Sequence, residues 1–313
     1  MNLRMMFLIR VLVLCTLVCG CVANPPIHTS QLDLTPRLAV ISAFDRELEK
    51  LRSSARITET YTINGRNFYV GQMAGKNVIL LLSGVSMVNA AMTTQTLLDN
   101  FTVRGIVFSG IAGGVNPDLN IGDVTIPAQW GEYQEQVFAR ATPQGWNPGR
   151  FAGEFANYGM IFPHSVSVTR KDGKPETLEK RFWFEADAGM LETAGRLAGR
   201  VRLARCTSEG ECLSSEPKVV VGGNGVSGPT FVDNADYRRW TWETFRAEAL
   251  DMETAAVAHV AYVNRIPFIA FRSLSDLAGG GKSGKNEGAI FSRMAADNSA
   301  TIVIEFLKEQ SGE

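Results

Sequence analysis

Three acidic residues stand where apolar runs of this sequence end. Glu47 follows the run at 38–43, Glu253 closes Ala249-Leu-Asp-Met-Glu253, and Asp276 ends Arg272-Ser-Leu-Ser-Asp276. In open α/β sheets, ligands bind in the crevice outside the carboxyl ends of the strands. An acid pair across such a crevice suits one reaction type, in which one member protonates a leaving group and the other activates water. Singly, each acid has a plainer role. Glu253 could satisfy a helix dipole, Asp276 could cap a helix, and Glu47 could be a solvated first-turn residue. The coincidence of three points to catalysis.

Two glycine-containing segments follow apolar runs, Ser83-Gly84-Val-Ser-Met-Val-Asn89 and Gly110-Ile-Ala-Gly-Gly114. Glycine lets backbone approach a ligand closely. Both segments are read as turns at strand ends that share one pocket, with Ala112 and Gly113 against the ligand. Gly223-Asn-Gly225-Val-Ser-Gly228 has the dinucleotide spacing, but Pro229 and residues 230–233 intervene before the next helical stretch. No helix N-terminus is then offered to a pyrophosphate, which argues against NAD. The segment reads as backbone approaching a ligand or as a simple turn. Phe231 is read as stacking on a flat ligand or as a core aromatic. The three histidines, His28, His164 and His259, show no ligand spacing, so neither metal nor cofactor is expected.

The elements that must position these residues alternate. Strands are expected at 38–43, 60–63, 67–72, 77–83, 104–109, 123–127, 218–222, 249–252 and 267–274. Helices are expected at 44–52, 85–100, 185–199, 234–246, 254–264 and 288–310. Near-continuous apolar strands alternating with helices predict an α/β fold, a single-domain three-layer α/β/α sandwich with a central mixed sheet flanked by helices. The domain is expected over 37–313, with an elaborated region at 130–215 rich in aromatics, Gly and Pro. Of 313 residues, 45% are hydrophobic and 20% charged, and the net charge is −1. No basic surplus argues for a nucleic-acid partner.

The N-terminus reads as a targeting segment. Arg4 and Arg10 flank an apolar run at 7–18 that is short for a membrane span. Val18-Cys-Gly-Cys21 resembles a bacterial lipobox, which implies removal of residues 1–20, lipid on Cys21, and residues 21–36 as a tether. The protein is then expected to be exported and lipid-anchored at a bacterial membrane, facing the periplasm. A plain cleaved signal and a retained N-terminal anchor are the alternatives. Cys15 and Cys19 leave with the signal. Cys206 and Cys212 remain, and an exported protein can keep them as a disulfide.

Taken together, these motifs resemble the purine nucleoside phosphorylase superfamily, and within it the methylthioadenosine/S-adenosylhomocysteine nucleosidases and their plant storage-protein relatives. The resemblance covers 37–130 and 216–308. It implies that Glu47 activates the attacking water, that Asp276 protonates N7 of a purine, and that Ser275 orients Asp276. It further implies that Glu253 accepts hydrogen bonds from the sugar hydroxyls over Met252, that Phe231 stacks on the base, and that the Val232 backbone bonds the base edge. The implied activity is hydrolysis of the N-glycosidic bond of a purine nucleoside by a homodimer without a cofactor. A nucleoside phosphorylase and a nucleoside-binding or storage-like protein without turnover are the alternatives. Two positions depart from the family pattern: Ile111 replaces a hydroxyl residue and Asp251 a glutamate. Neither glycine segment carries the arginine with which phosphorylases hold phosphate.

Overall fold

The computed structural model describes residues 31–174, 177–281 and 286–310. The expected signal peptide, the lipid on Cys21 and residues 22–30 of the tether lie outside the described residues. One sheet of twelve strands organises the domain. Its strands are β1 (Asp33–Ser42), β2 (Arg56–Ile63), β3 (Arg66–Met73), β4 (Lys76–Leu82), β5 (Phe101–Gly114), β6 (Val124–Ile126), β7 (Gln129–Gly131), β8 (Trp183–Glu185), β9 (Val219–Val221), β10 (Asn224–Ser227), β11 (Ala247–Asp251) and β12 (Phe268–Asp276). The main path runs β8-β7-β10-β11-β5-β1-β4-β3-β2, while β12 pairs with both β5 and β6, and β6 with β9.

The pairing decides where the site lies. β1 runs parallel to β4 and β5, and β12 runs parallel to β5, so β1, β5 and β12 end on the same side. β11 meets the end of β5 antiparallel, Leu250 opposite Gly113 and Ala249 opposite Gly114. These strands are buried almost throughout, as expected of strands covered on both faces.

Helices cover both faces. α1 (Asp45–Ser53), α3 (Ala188–Leu197) and α6 (Gly288–Glu309) bury Leu48, Leu51, Met190, Leu197, Ile302 and Phe306 against one face. α2 (Met87–Asn100) and α5 (Thr254–Asn264) bury Ala90, Leu97, Ala255 and Ala261 with Phe68 and Phe108 of the other. The small residues of α5 let it lie close on the sheet. α4 (Ala235–Phe245) instead joins an aromatic cluster with the elaborated region, where Trp240 and Phe245 pack with Tyr133 and Phe182. That region adds three two-stranded antiparallel sheets of three-residue strands, Gln136–Phe138 with Ile161–Pro163, Arg140–Thr142 with Gly145–Asn147, and Val166–Val168 with Glu179–Arg181. Cys206 and Cys212 are joined by a disulfide. Among the described residues, no helix is long and apolar enough to cross a membrane.

Three differences from expectation bear on the tether and the site. β1 begins at Asp33, inside the stretch read as tether. Its pairing with β5 is irregular between Asp33 and Arg37, where Pro36 brings no N–H to the ladder, and an Asp33–Arg37 ion pair at 2.5 Å holds the bend. Gly110-Ile-Ala-Gly-Gly114 is not a turn but the last third of β5. A Cβ on Gly110 would lie 2.0 Å from Arg272 Nη1 and 2.4 Å from Glu47 Oε1, so glycine serves close packing within a strand. Asn224–Ser227, inside the glycine run with dinucleotide spacing, is likewise strand and opens no helix.

Candidate active site

A cavity of about 270 Å³ opens where β1, β5, β11 and β12 end. All nine residues expected at the site line it: Glu47, Ala112, Gly113, Phe231, Val232, Met252, Glu253, Ser275 and Asp276. Phe44, Val85, Ile111, Thr230, Leu250 and Asp251 complete the wall.

Glu47 sits in the first turn of α1, is 1% exposed, and is held from two sides. The N–H groups of Ala43 and Ile111 donate to its two carboxylate oxygens, each at 2.7 Å. Burial nevertheless raises its pKa, against the pull of Arg272 and of these N–H groups.

Arg272 organises the floor. It is fully buried in β12, its guanidinium carbon lies 4.1 Å from the Phe108 ring centroid, and it faces three carboxylates. Its Nε stands 2.8 Å from Asp251 Oδ2, its Nη1 3.6 Å from Glu47 Oε1, and its Nη2 3.8 Å from Glu253 Oε2. The Asp251 carboxylate also accepts from the hydroxyls of Ser227 and Thr254 and from the N–H groups of Glu253 and Thr254, which tie it to the start of α5.

One cation among three buried acids leaves a negative excess. Glu253 carries the consequence: burial first, then Asp251, push its pKa up to about 7 against the attraction of Arg272. Its Oε1 accepts a 2.8 Å bond from the N–H of Ser86. Ser86 holds φ +79° and ψ 158°, a conformation that suits glycine. Such backbone strain, of order 1–3 kcal/mol, concentrates at functional sites.

Asp276 ends β12 in a different environment, with no cation among its partners in the described residues. Its Oδ2 accepts from the Ser275 hydroxyl at 2.9 Å and its Oδ1 from the Ala278 N–H at 2.9 Å. Burial raises its pKa, and the negative charges of Asp233 and Glu287 add to that, against these two bonds. The cavity thus holds Asp276, bonded by one hydroxyl and one N–H, and Glu47, bonded by two N–H groups, with burial raising the pKa of both. Phe231 and Val232 line the same cavity, Phe231 65% exposed and Val232 buried.

The sequence reading assigns no role to Arg272 and only a minor one to Asp251. A signal for Arg272 exists: it is the one charged residue between Pro267 and Ser275 in a run otherwise fit for a buried strand, and such residues are almost never fully buried unless paired. Phe44, Val85 and Leu250 carry no comparable signal, because apolar residues near strand ends are ordinary. No group of His, Cys, Asp and Glu among the described residues is arranged to hold a metal.

The family model for the phosphorylase superfamily matches residues 37–308. A 5′-methylthioadenosine/S-adenosylhomocysteine nucleosidase of Bacillus anthracis is 30% identical over 275 residues, spanning 87% of this chain and 99% of that relative. Among solved structures, the nucleosidase of the same name from Neisseria meningitidis, in complex with methylthio-immucillin-A, is 26% identical with a TM-score of 0.63, covering 88% of this chain and 99% of that one. The futalosine hydrolase of Helicobacter pylori strain 26695 shares the fold at 21% identity and a TM-score of 0.65, over 88% and 98% of the two chains.

Proposed function

The chain belongs to the phosphorylase superfamily, and we propose that it hydrolyses the N-glycosidic bond of a purine nucleoside with Glu47 and Asp276 as the working pair, as an enzyme of the methylthioadenosine/S-adenosylhomocysteine nucleosidase kind. The observation that carries this reading is a pair of buried acids lining one cavity, Glu47 beside the Arg272 guanidinium and Asp276 held by the Ser275 hydroxyl and the Ala278 N–H. A purine leaves poorly as an anion, so a proton must reach the base as the bond to C1′ lengthens. Asp276, raised by burial and neighbouring negative charge, is suited to deliver it to N7. The sugar becomes oxocarbenium-like, as in glycoside hydrolysis by carboxylate pairs. The acids around Arg272 supply negative potential for that cation, and Glu253 accepts from the sugar hydroxyls above Met252. Glu47 takes a proton from the water that attacks C1′. The base stacks on Phe231. The products are free base and free sugar.

Charge favours water over phosphate as the nucleophile. The guanidinium beside Glu47 is matched by three carboxylates. Arg46 bonds Ser292 of α6 at 2.5 Å. A phosphate anion would meet net negative charge. The test is a panel of purine nucleosides with and without phosphate. Release of base and free sugar in phosphate-free buffer is expected; a strict phosphate requirement with a sugar 1-phosphate product would overturn hydrolysis.

Assembly and location belong to the same proposal. The protein works as a homodimer, exported and held at a bacterial membrane by lipid on Cys21. An apolar row beside the cavity, Val85, Val88 and Met92, supports the first part, with Val88 79% exposed. The lipobox resemblance supports the second.

A further inference from the structure

We infer that Arg238 is a positioning residue for Asp276, holding the acid's loop and the base-stacking loop in one register at the end of β5. The inference rests on the reading of Asp276 as the general acid. Three segments meet at this guanidinium. The first is its own: Arg238 lies in the first turns of α4, directly after the Phe231–Val232 loop, and its N–H donates to Asn234 O at 2.9 Å. The second is the end of β5, where Nε donates to Gly114 O at 2.8 Å and Nη2 to Asn116 O at 3.4 Å. Gly114 adjoins Gly113, which lines the cavity. The third is the loop that follows Asp276. A Cβ on Gly280 would lie 2.5 Å from Arg238 Nη1, so the loop backbone is pressed against the guanidinium.

The two loops also touch directly. The Asn234 N–H donates to Ala278 O at 3.1 Å, and Ala278 in turn donates its own N–H to Asp276. A Cβ on Gly279 would lie 2.3 Å from Asn234 N. Ala278 and Gly279 both hold positive φ, +50° and +87°. Such a conformation persists only where its surroundings hold it in place.

Among the described residues no carboxylate forms an ion pair with Arg238, and it is half-buried. A half-buried arginine that bonds only backbone carbonyls is not there to neutralise an acid. Its planar fork has several donors in fixed directions, which suits bridging carbonyls of separate segments and which lysine cannot reproduce. Without that bridge the Asp276 carboxyl and the ring of Phe231 would no longer share one frame, and a proton donor displaced by about 1 Å costs on the order of 10²-fold in rate.

The experiment measures kcat and KM on a purine nucleoside in phosphate-free buffer for the parent, Arg238→Met, Arg238→Lys and Asp276→Asn, and for each Arg238 variant combined with Asp276→Asn. Arg238→Met is expected to lower kcat about 10–100-fold while KM stays within about threefold. Arg238→Lys is expected to keep more of the rate, since an ammonium can still reach one carbonyl. In the Asp276→Asn background either Arg238 change is expected to cost under about threefold, because the residue acts through that acid. If Arg238→Met does not fold, the lysine variant carries the same comparison. The inference is overturned if kcat stays within about twofold of the parent in the foldable variants, if the loss falls on KM alone, or if the same factor is lost with Asp276→Asn present. Failure of the parent to release base would instead strike the proposed function.

Discussion

The acids at the strand ends and the acids of the elaborated region are pushed in opposite directions. Burial raises Glu47, Glu253 and Asp276. In the elaborated region, hydrogen bonds from Arg170 hold Asp172 low and the hydroxyl of Tyr262 does the same for Glu179. The first set lies buried beside β5, β11 and β12, which are themselves buried almost throughout, so water screens it little. The second set is exposed and paired with arginines that also ring Tyr262. Exposed pairs of that kind contribute little to stability. The difference separates two uses of a carboxyl: one, buried, holds its proton above the ordinary carboxylate range at a cost in stability, the other shapes a surface.

The sharpest way to break this comparison is at Asp276. Asp276→Asn keeps one acceptor oxygen for the Ala278 N–H and turns its amide NH2 to the Ser275 hydroxyl, which can accept, but it has no acidic proton to deliver. Turnover is expected to fall by about 10²–10⁴, the usual worth of a general acid, with nucleoside affinity largely kept. Steady-state kinetics alongside equilibrium binding of the same nucleoside would check it. Unchanged turnover would reduce Asp276 to a capping residue for its own loop.

What made the site legible was punctuation. Apolar runs that stop at an acid mark Glu47, Glu253 and Asp276 without any knowledge of pairing. Arg272 resisted for the opposite reason, since its meaning lies in three partners drawn from α1, β11 and the start of α5, far apart in sequence. The layered α/β architecture follows from element order. The extension of β5 through Gly110–Gly114 does not, because glycines read locally as a turn, and only the proximity of Arg272 and Glu47 shows that they clear space. The elaborated region was least legible of all. Its small paired strands are three residues long, too short for a period-2 pattern to register, and the aromatic cluster that ties the region to α4 is drawn from residues outside them, Tyr133, Phe155, Tyr158 and Phe182.

A second test exploits the pH behaviour of the strand-end acids. The folded pKa of Glu253 is about 7, above the ordinary 4.5. Between those values the folded state binds more protons than the unfolded, so stability falls as pH rises from 4.5 to about 7 and is level beyond. The loss is on the order of 3 kcal/mol. Glu253→Gln keeps an acceptor for Ser86 N–H and removes the titration. The variant is expected to be the more stable protein at pH 7.5 by that order and to lose the advantage near pH 4.5, as urea unfolding at both values would read. Glu47 and Asp276 are raised too and keep a residual slope of the same sign. For activity the two signs differ: Glu47 must be ionised and Asp276 protonated, so the rate falls on the acid side through Glu47 and on the alkaline side through Asp276. A Glu253→Gln protein no more stable than the parent at pH 7.5 would mean that Arg272 fully offsets the burial of Glu253.

The smallest effect is expected in the elaborated region, where the comparison says chemistry should be indifferent. Cys206 and Cys212 close a loop of six residues' separation, exposed at the surface. Loop-closure scaling gives such a short bridge roughly 2 kcal/mol, at the low end for disulfides. The bridge constrains the unfolded chain and touches none of the cavity's walls. Replacing both cysteines by serine is therefore expected to lower the unfolding free energy by no more than about that amount, with kcat and KM unchanged. Thiol labelling of the unreduced, denatured parent should find neither sulfur free. A loss of turnover in the double serine variant, with stability intact, would show that the elaborated region reaches the chemistry through this loop and would dissolve the division between the two regions.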